Sequence, residues 1–222
     1  TCTQCPVILL QTPYNRQLFR YIGLPLIETA IATSNYAMAV VDWRGSYGSA
    51  AAAYSGSPTR GEDGYDCVEW TFQQSWCNGK IGTWGPSALG RVQFQTAKEN
   101  PPHLTCMVTL TSGPQHRYLE YFPGGVYRTE YVDQLDALGF GVSTSLLLNP
   151  AYNTFWQTTE ADNYYPDSIK VPTMMIGGWY DFYTESILPF FNGIRANSPL
   201  TVRDKHRLLM GPWVHGGNGP SK

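Results

Sequence analysis

The sequence predicts an α/β fold with a mostly parallel sheet flanked by helices. Three observations predict it. Six short apolar runs recur along the chain, and helical patterns lie between several of them. The runs are continuous rather than alternating, as in parallel strands covered on both faces. In order, the expected strands are residues 6–13 (PVILLQTP), 36–43 (YAMAVVDW), 80–85 (KIGTWG), 104–112 (LTCMVTLTS), 171–179 (VPTMMIGGW) and 206–213 (HRLLMGPW). A helix is expected over 62–76, where Val68, Thr71, Phe72 and Ser75 fall on one face and Glu62 and Asp63 favour the N-terminal end. A second helix covers 88–98 (ALGRVQFQTAK) and stops before ENPP. A third covers 182–196, with Ile187, Leu188, Phe191 and Ile194 on one face.

One segment breaks the alternation. Residues 113–170 are rich in Tyr, Asn, Asp and Thr and lie between two expected strands. At more than fifty residues the segment is too long for a plain connection, so it reads as a mostly helical cap insertion. The core is then 1–112 with 171–222, and the cap is 113–170.

The bulk composition narrows the function classes. With 222 residues, 42% hydrophobic and only 14% charged, the chain has the makings of a full core and is not a disordered polymer. A net charge of −2, with Lys and Arg scattered, gives no basic surface for nucleic acid. No apolar run approaches the roughly 18 residues of a membrane span. The start, TCTQCPVILL, shows no basic n-region. Cys2 and Cys5 form a C-x-x-C without a second pair, so a four-thiolate metal site is not supported and a terminal disulfide is expected. Cys106 lies in an apolar run and reads as a buried small hydrophobe. The cysteine pair and the low lysine content lean towards an exported (periplasmic or extracellular) protein rather than a cytoplasmic one.

The stretch GKIGTWGPSALGRVQFQ sets Ser87 between an expected strand and an expected helix, with Gly85 and Gly90 beside it. A serine nucleophile on such a turn is exposed by the strained backbone, and glycines let helix and strand approach. The usual pattern is G-x-S-x-G; here it is G-x-S-x-x-G. Taken alone, an ordinary turn serine is the simpler reading. Its partners change that. A serine needs an imidazole base, and the base needs a carboxylate to fix its tautomer. Asp181 follows one strand and His215 follows the last, in the chain order Ser, Asp, His of α/β-hydrolases. All three lie at C-terminal strand ends, where open parallel sheets place ligands. Singly, Asp181 also reads as a helix N-cap and His215 as a loop histidine. An oxyanion needs two donors. The Ala88 N–H is one. The Tyr14 phenol, after QTP, is either the second donor or an aromatic packed at a proline turn, and spacing does not choose between them.

Together, QTPYNR, VVDWRGSYGS, EDGYDCVEWTFQQSWCNGKIGTWGPSALG, GGWYDFY and GPWVHGG resemble the cocaine esterase-like branch of the Xaa-Pro dipeptidyl-peptidase (S15) hydrolases, over residues 11–112 and 171–216. That family's elbow reads G-x-S-Y-x-G, which accounts for the extra residue before Gly90. The resemblance implies an α/β-hydrolase fold with Ser87 as nucleophile, Asp181 as acid, His215 as base, and Tyr14 and Ala88 as the oxyanion hole. It implies bracing roles for Asp42 and Arg44. Ala88 replaces the family's tyrosine, the cap is short, and the family's C-terminal jelly roll and leading N-terminal strands have no counterpart in this sequence. The function expected is cleavage of an ester or amide through an acyl-enzyme, first of all by a carboxylesterase, acting on a small molecule or short peptide without metal or cofactor. The alternatives are an Xaa-Pro dipeptidyl aminopeptidase or α-amino acid ester hydrolase/acylase, and a non-catalytic binding module or inactive fragment on a hydrolase scaffold. His103 and His206 flank strands and read as structural; His116 opens the cap.

Overall fold

The computed structural model describes residues 3–21, 34–52, 58–114 and 116–216. The chain divides into two compact units, Thr1–Gly113 with Pro166–Lys222, and Pro114–Tyr165. The first unit is built on one sheet of six parallel strands: β1 Cys5–Thr12, β2 Ala37–Asp42, β3 Cys77–Pro86, β4 Leu104–Leu110, β5 Thr173–Gly178 and β6 Arg207–Gly211. Their order is β2-β1-β3-β4-β5-β6. The chain leaves β1 to one side for β2 and returns on the other side for β3. That reversal creates a crevice at the C-terminal strand ends, where open α/β sheets bind ligands.

Three helices pack on this sheet: α1 Arg60–Phe72, α2 Ala88–Lys98 and α6 Thr184–Asn197, the labels α3 to α5 falling in the second unit. A capping box starts α1: the Thr59 side chain accepts from the Glu62 N–H, and the Glu62 carboxylate accepts from the Thr59 N–H. The buried face of α1 is Gly61, Gly64, Val68 and Thr71. The expected face included Phe72 and Ser75, which are exposed, and the helix stops at Phe72 rather than 76. Glycine explains the difference. A Cβ on Gly64 would fall on the Thr96 hydroxyl of α2. Two helices can approach that closely only along a strip without side chains, and hydrophobicity does not mark such a strip. Phe72 instead stacks on His103, ring centroids 3.3 Å apart, while His103 pairs with Glu69 at 2.7 Å.

On α6 the buried face is Ser186, Ile187, Phe190, Gly193 and Ile194, so Leu188 and Phe191, expected inside, are half-buried. Phe190 meets Phe94 of α2 edge-to-face at 5.2 Å and ties the two helices together. Cys5 is disulfide-bonded; its expected partner, Cys2, lies outside the described residues. Cys67, Cys77 and Cys106 are free thiols. Cys106, expected to be buried, is half-buried on β4, beside Gly82.

The second unit contains α3 Thr129–Ala137, α4 Ser143–Leu147 and α5 Thr154–Asp162. Tyr121, Phe122, Val132, Leu146 and Trp156 form its core. No helix among the described residues is long and apolar enough to cross a membrane.

Candidate active site

The site begins at the junction of β3 and α2. Ser87 has φ 53° and ψ −122°, a backbone conformation that non-glycine residues avoid. Strain of this kind persists only where the surroundings hold it, and it gathers at functional sites. Three contacts hold it here. The Ser87 N–H donates to the Leu110 carbonyl of β4 at 3.0 Å, and the Ser87 carbonyl accepts from Gly90 and Arg91 at 2.9 Å each. Gly90 is required: a Cβ there would stand 2.6 Å from Ser112 Cβ. Gln93, buried and polar on the inner face of α2, donates to the carbonyls of Gly85 at 3.2 Å and Leu89 at 3.0 Å, and accepts from Thr83 at 3.0 Å. Sequence reading passed over Gln93. Its one signal was a polar residue inside an otherwise apolar stripe.

Asp181 lies in the turn after β5, its side chain fully buried. It is not the N-cap of α6, which is Tyr183. One carboxylate oxygen accepts from the Tyr183 N–H at 2.9 Å. Both oxygens face His215 Nδ1, at 3.1 and 3.4 Å. His215 Nε2 stands 3.0 Å from Ser87 Oγ. A carboxylate only accepts, so Nδ1 carries the proton and Nε2 turns a lone pair to the serine. The ring is packed on Phe182, centroids 4.6 Å apart, and Tyr183, 5.5 Å apart.

Glycines make this meeting possible. A Cβ on Gly178 would fall on the Trp213 carbonyl, so the chain after β6 crosses directly over the end of β5. The N–H groups of Trp179 and Tyr180 donate to Gly211 and Trp213 at 2.9 and 3.1 Å, extending the pairing beyond the strands. The GG of GGWYD thus brings a residue 34 positions later onto Asp181.

Tyr14 follows β1 on the other side of the crevice. Burial raises the pKa of its phenol, offset in part by Ser87 and by the charge of Arg91. Ala88 opens α2, so its N–H has no carbonyl one turn earlier within the helix and faces the helix end at Ser87. Asp42 and Arg44 are spent elsewhere. Buried Asp42 accepts from the Arg16 N–H at 2.6 Å and the Gly48 N–H at 3.0 Å, and pairs with the Arg16 guanidinium. Arg44 forks onto Asp63 of α1. His206 is buried against Ser198, with Nε2 at 2.8 Å from its hydroxyl. His116 contacts the Tyr121 hydroxyl at 3.0 Å within the second unit.

A parallel sheet with this switch point, and a strained serine at its crest, defines an α/β-hydrolase fold. Comparison with known proteins goes further. The family described as X-Pro dipeptidyl-peptidase (S15 family) matches residues 1–145 and 134–217. The chain belongs to that family of hydrolases. The cocaine esterase of Rhodococcus sp. (strain MB1 Bresler) is 24% identical over 95% of this chain and 44% of its own length. The crystal structure of an aminopeptidase from a marine sediment Thaumarchaeota archaeon superposes with a TM-score of 0.71 at 19% identity, over 97% of this chain and 45% of that one. An α-amino acid ester hydrolase gives 0.70 at 20% identity, over 96% and 44%. The chain therefore spans less than half the length of these relatives.

Proposed function

We propose that the chain carries the catalytic centre of a serine hydrolase that cleaves esters through an acyl-enzyme. The observation that carries this reading is His215, whose two ring nitrogens join Ser87 Oγ at 3.0 Å and Asp181 at 3.1 Å. In the proposed cycle Ser87 Oγ bonds to the substrate carbonyl carbon while its proton passes to His215 Nε2. The carbonyl oxygen becomes an oxyanion, held by the Tyr14 hydroxyl and the Ala88 N–H. Collapse of the intermediate breaks the bond to the leaving group, which takes the proton from His215. Water, giving its proton to the same nitrogen, repeats the attack and frees the acid and the serine.

Esters are placed ahead of Xaa-Pro peptides because half of the second unit's candidate acids are already engaged. A peptide's free amine calls for an available carboxylate. Glu120 accepts from the Tyr131 hydroxyl at 2.9 Å, Asp136 from the Val142 N–H at 2.6 Å, and Glu160 from the Tyr118 N–H at 2.9 Å. These three acids serve the unit's own structure. Glu130, Asp133 and Asp162, which are exposed, are the carboxylates an aminopeptidase would have to use.

The test is intact mass after treatment with a fluorophosphonate. One adduct on the wild-type chain and none on Ser87→Ala is expected. No adduct on the folded wild type, or the same adduct on Ser87→Ala, would sink the reading. Short-chain p-nitrophenyl esters are expected to turn over faster than Xaa-Pro anilides. The reverse order would make the chain an aminopeptidase.

A further inference from the structure

Gln93 is the largest polar side chain that α2 buries. It is 2% exposed, and Leu89, Val92 and Phe94 beside it are buried too. Its amide is engaged on both sides. The carbonyls of Gly85 and Leu89 can only accept, so the NH2 group faces them, at 3.2 and 3.0 Å, and the amide oxygen takes the Thr83 hydroxyl at 3.0 Å. Thr83 is itself buried on β3. A buried polar network is tolerated only when its members are paired, and this one ends on the backbone next to Ser87.

The turn it reaches is the head of α2. There the Ser87 N–H goes to the Leu110 carbonyl, and the N–H groups of Gly90 and Arg91 go to the Ser87 carbonyl. The N–H groups of Ala88 and Leu89 remain, as at any helix start. The Gly85 carbonyl lies against the same turn: its oxygen is 3.1 Å from where a Gly90 Cβ would stand. Gly85 precedes Ala88 by three residues and Leu89 by four, the spacings of a turn bond and of a helical one. At φ 154° it has a conformation that favours glycine, and a Cβ there would stand 2.5 Å from Leu89 Cβ. No side chain of its own can hold its peptide, and the Gln93 amide does.

We propose that Gln93 is a positioning residue for the oxyanion site: by holding the Gly85 carbonyl it keeps that oxygen from capping the first N–H groups of α2, and leaves the Ala88 N–H for the charge developing on the substrate. This rests on the roles given above to Ser87 and Ala88. Without the amide, the buried Gly85 carbonyl loses a partner, and a rotation of its peptide brings it to the N–H groups of the adjoining turn. The oxyanion forms only beyond the ground state, so the loss falls on kcat and not on KM.

A pair of esters separates this role from simple bracing of the turn. Sulfur accepts hydrogen bonds weakly, so a thiono ester, with sulfur in place of the carbonyl oxygen, gains little from the oxyanion donors. Gln93→Met, close in shape and without donors, is expected to lower kcat on p-nitrophenyl acetate about 100-fold with KM within about twofold. On p-nitrophenyl thionoacetate it is expected to cost less than about threefold. No loss, equal losses on the two esters, or a loss confined to KM overturns the inference. Thr83→Val decides the matter if the Met variant does not fold, because it removes the donor that aims the amide. It is expected to cost about fivefold on the acetate and less than about twofold on the thionoacetate, and equal losses or none overturn the inference. Failure of the underlying reading is distinct: the wild type would then neither turn over the acetate nor take up a fluorophosphonate at Ser87.

Discussion

Gly90→Ala tests whether the geometry of one helical turn sets the chemistry. A Cβ at this position would lie 2.6 Å from Ser112 Cβ and 3.1 Å from the Gly85 carbonyl oxygen. Carbon atoms rest at about 3.5–4.0 Å, so the first turn of α2 has to retreat from the end of β4 by about 1 Å. Ser87 heads that turn, and its carbonyl accepts the Gly90 N–H. The serine therefore moves with it, away from a 3.0 Å contact with His215. A misplacement of about 1 Å at a reacting centre costs on the order of 100-fold in rate. Overpacking of this kind costs about 1–3 kcal/mol of stability, which a domain stable by about 5–15 kcal/mol survives. The assay is the second-order rate of fluorophosphonate inactivation, with urea unfolding to confirm the fold. Gly82→Ala on β3 is the control, since its Cβ would meet the Cys106 sulfur of β4 at 3.2 Å and the Cys106 carbonyl oxygen at an ordinary 3.7 Å. The expected result is a fall of about 100-fold for Gly90→Ala and less than about threefold for Gly82→Ala. A folded Gly90→Ala chain labelled at the wild-type rate would refute the reasoning.

Two further outcomes are expected. Tyr14→Phe removes one of the two proposed oxyanion donors and is expected to lower kcat by about 10²–10³ with KM little changed, measured on a p-nitrophenyl ester. A large rise in KM with kcat intact would assign the phenol to substrate binding instead. His206 supplies a pH dependence of stability. Ser198 gives its own proton to the Ile194 carbonyl, so His206 Nε2–H donates to Ser198, and Nδ1 is buried without a partner. Burial, then the charges of Arg195 and Arg207, lower its pKa to about 4, from 6.5. The folded state thus resists protonation more than the unfolded chain does. The stability this contributes is full above pH 6.5 and is lost as pH falls towards 4, by about 3 kcal/mol in total. Urea unfolding at pH 7.5 and pH 4 should show the wild type losing about 3 kcal/mol more than His206→Gln, and parallel losses would contradict the assignment.

The sequence by itself determined the order of strands and helices, because continuous apolar runs and a period near 3.6 residues report local geometry directly. It also determined which four side chains deserved attention. Ser87, Asp181, His215 and Tyr14 each follow a strand at its C-terminal end, and the parallel sheet collects those ends on one edge. Helix faces were less legible. Gly61 and Gly64 on α1 are buried by close approach, Gly193 on α6 is buried too, and none of the three carries a hydrophobic signal. Phe72 and Phe191 carry a strong one yet lie outside or at the margin.

Only the tertiary structure decided distances. The contact of His215 with Ser87 spans 128 positions of sequence, and no local pattern encodes a hydrogen bond of 3.0 Å. It depends on Trp213 crossing Gly178, on Gly90 lying against Ser112, and on Gln93 reaching back to Gly85. Local propensity acts within a few residues. A catalytic geometry is fixed by packing between elements, and packing is settled only when the whole sheet has closed.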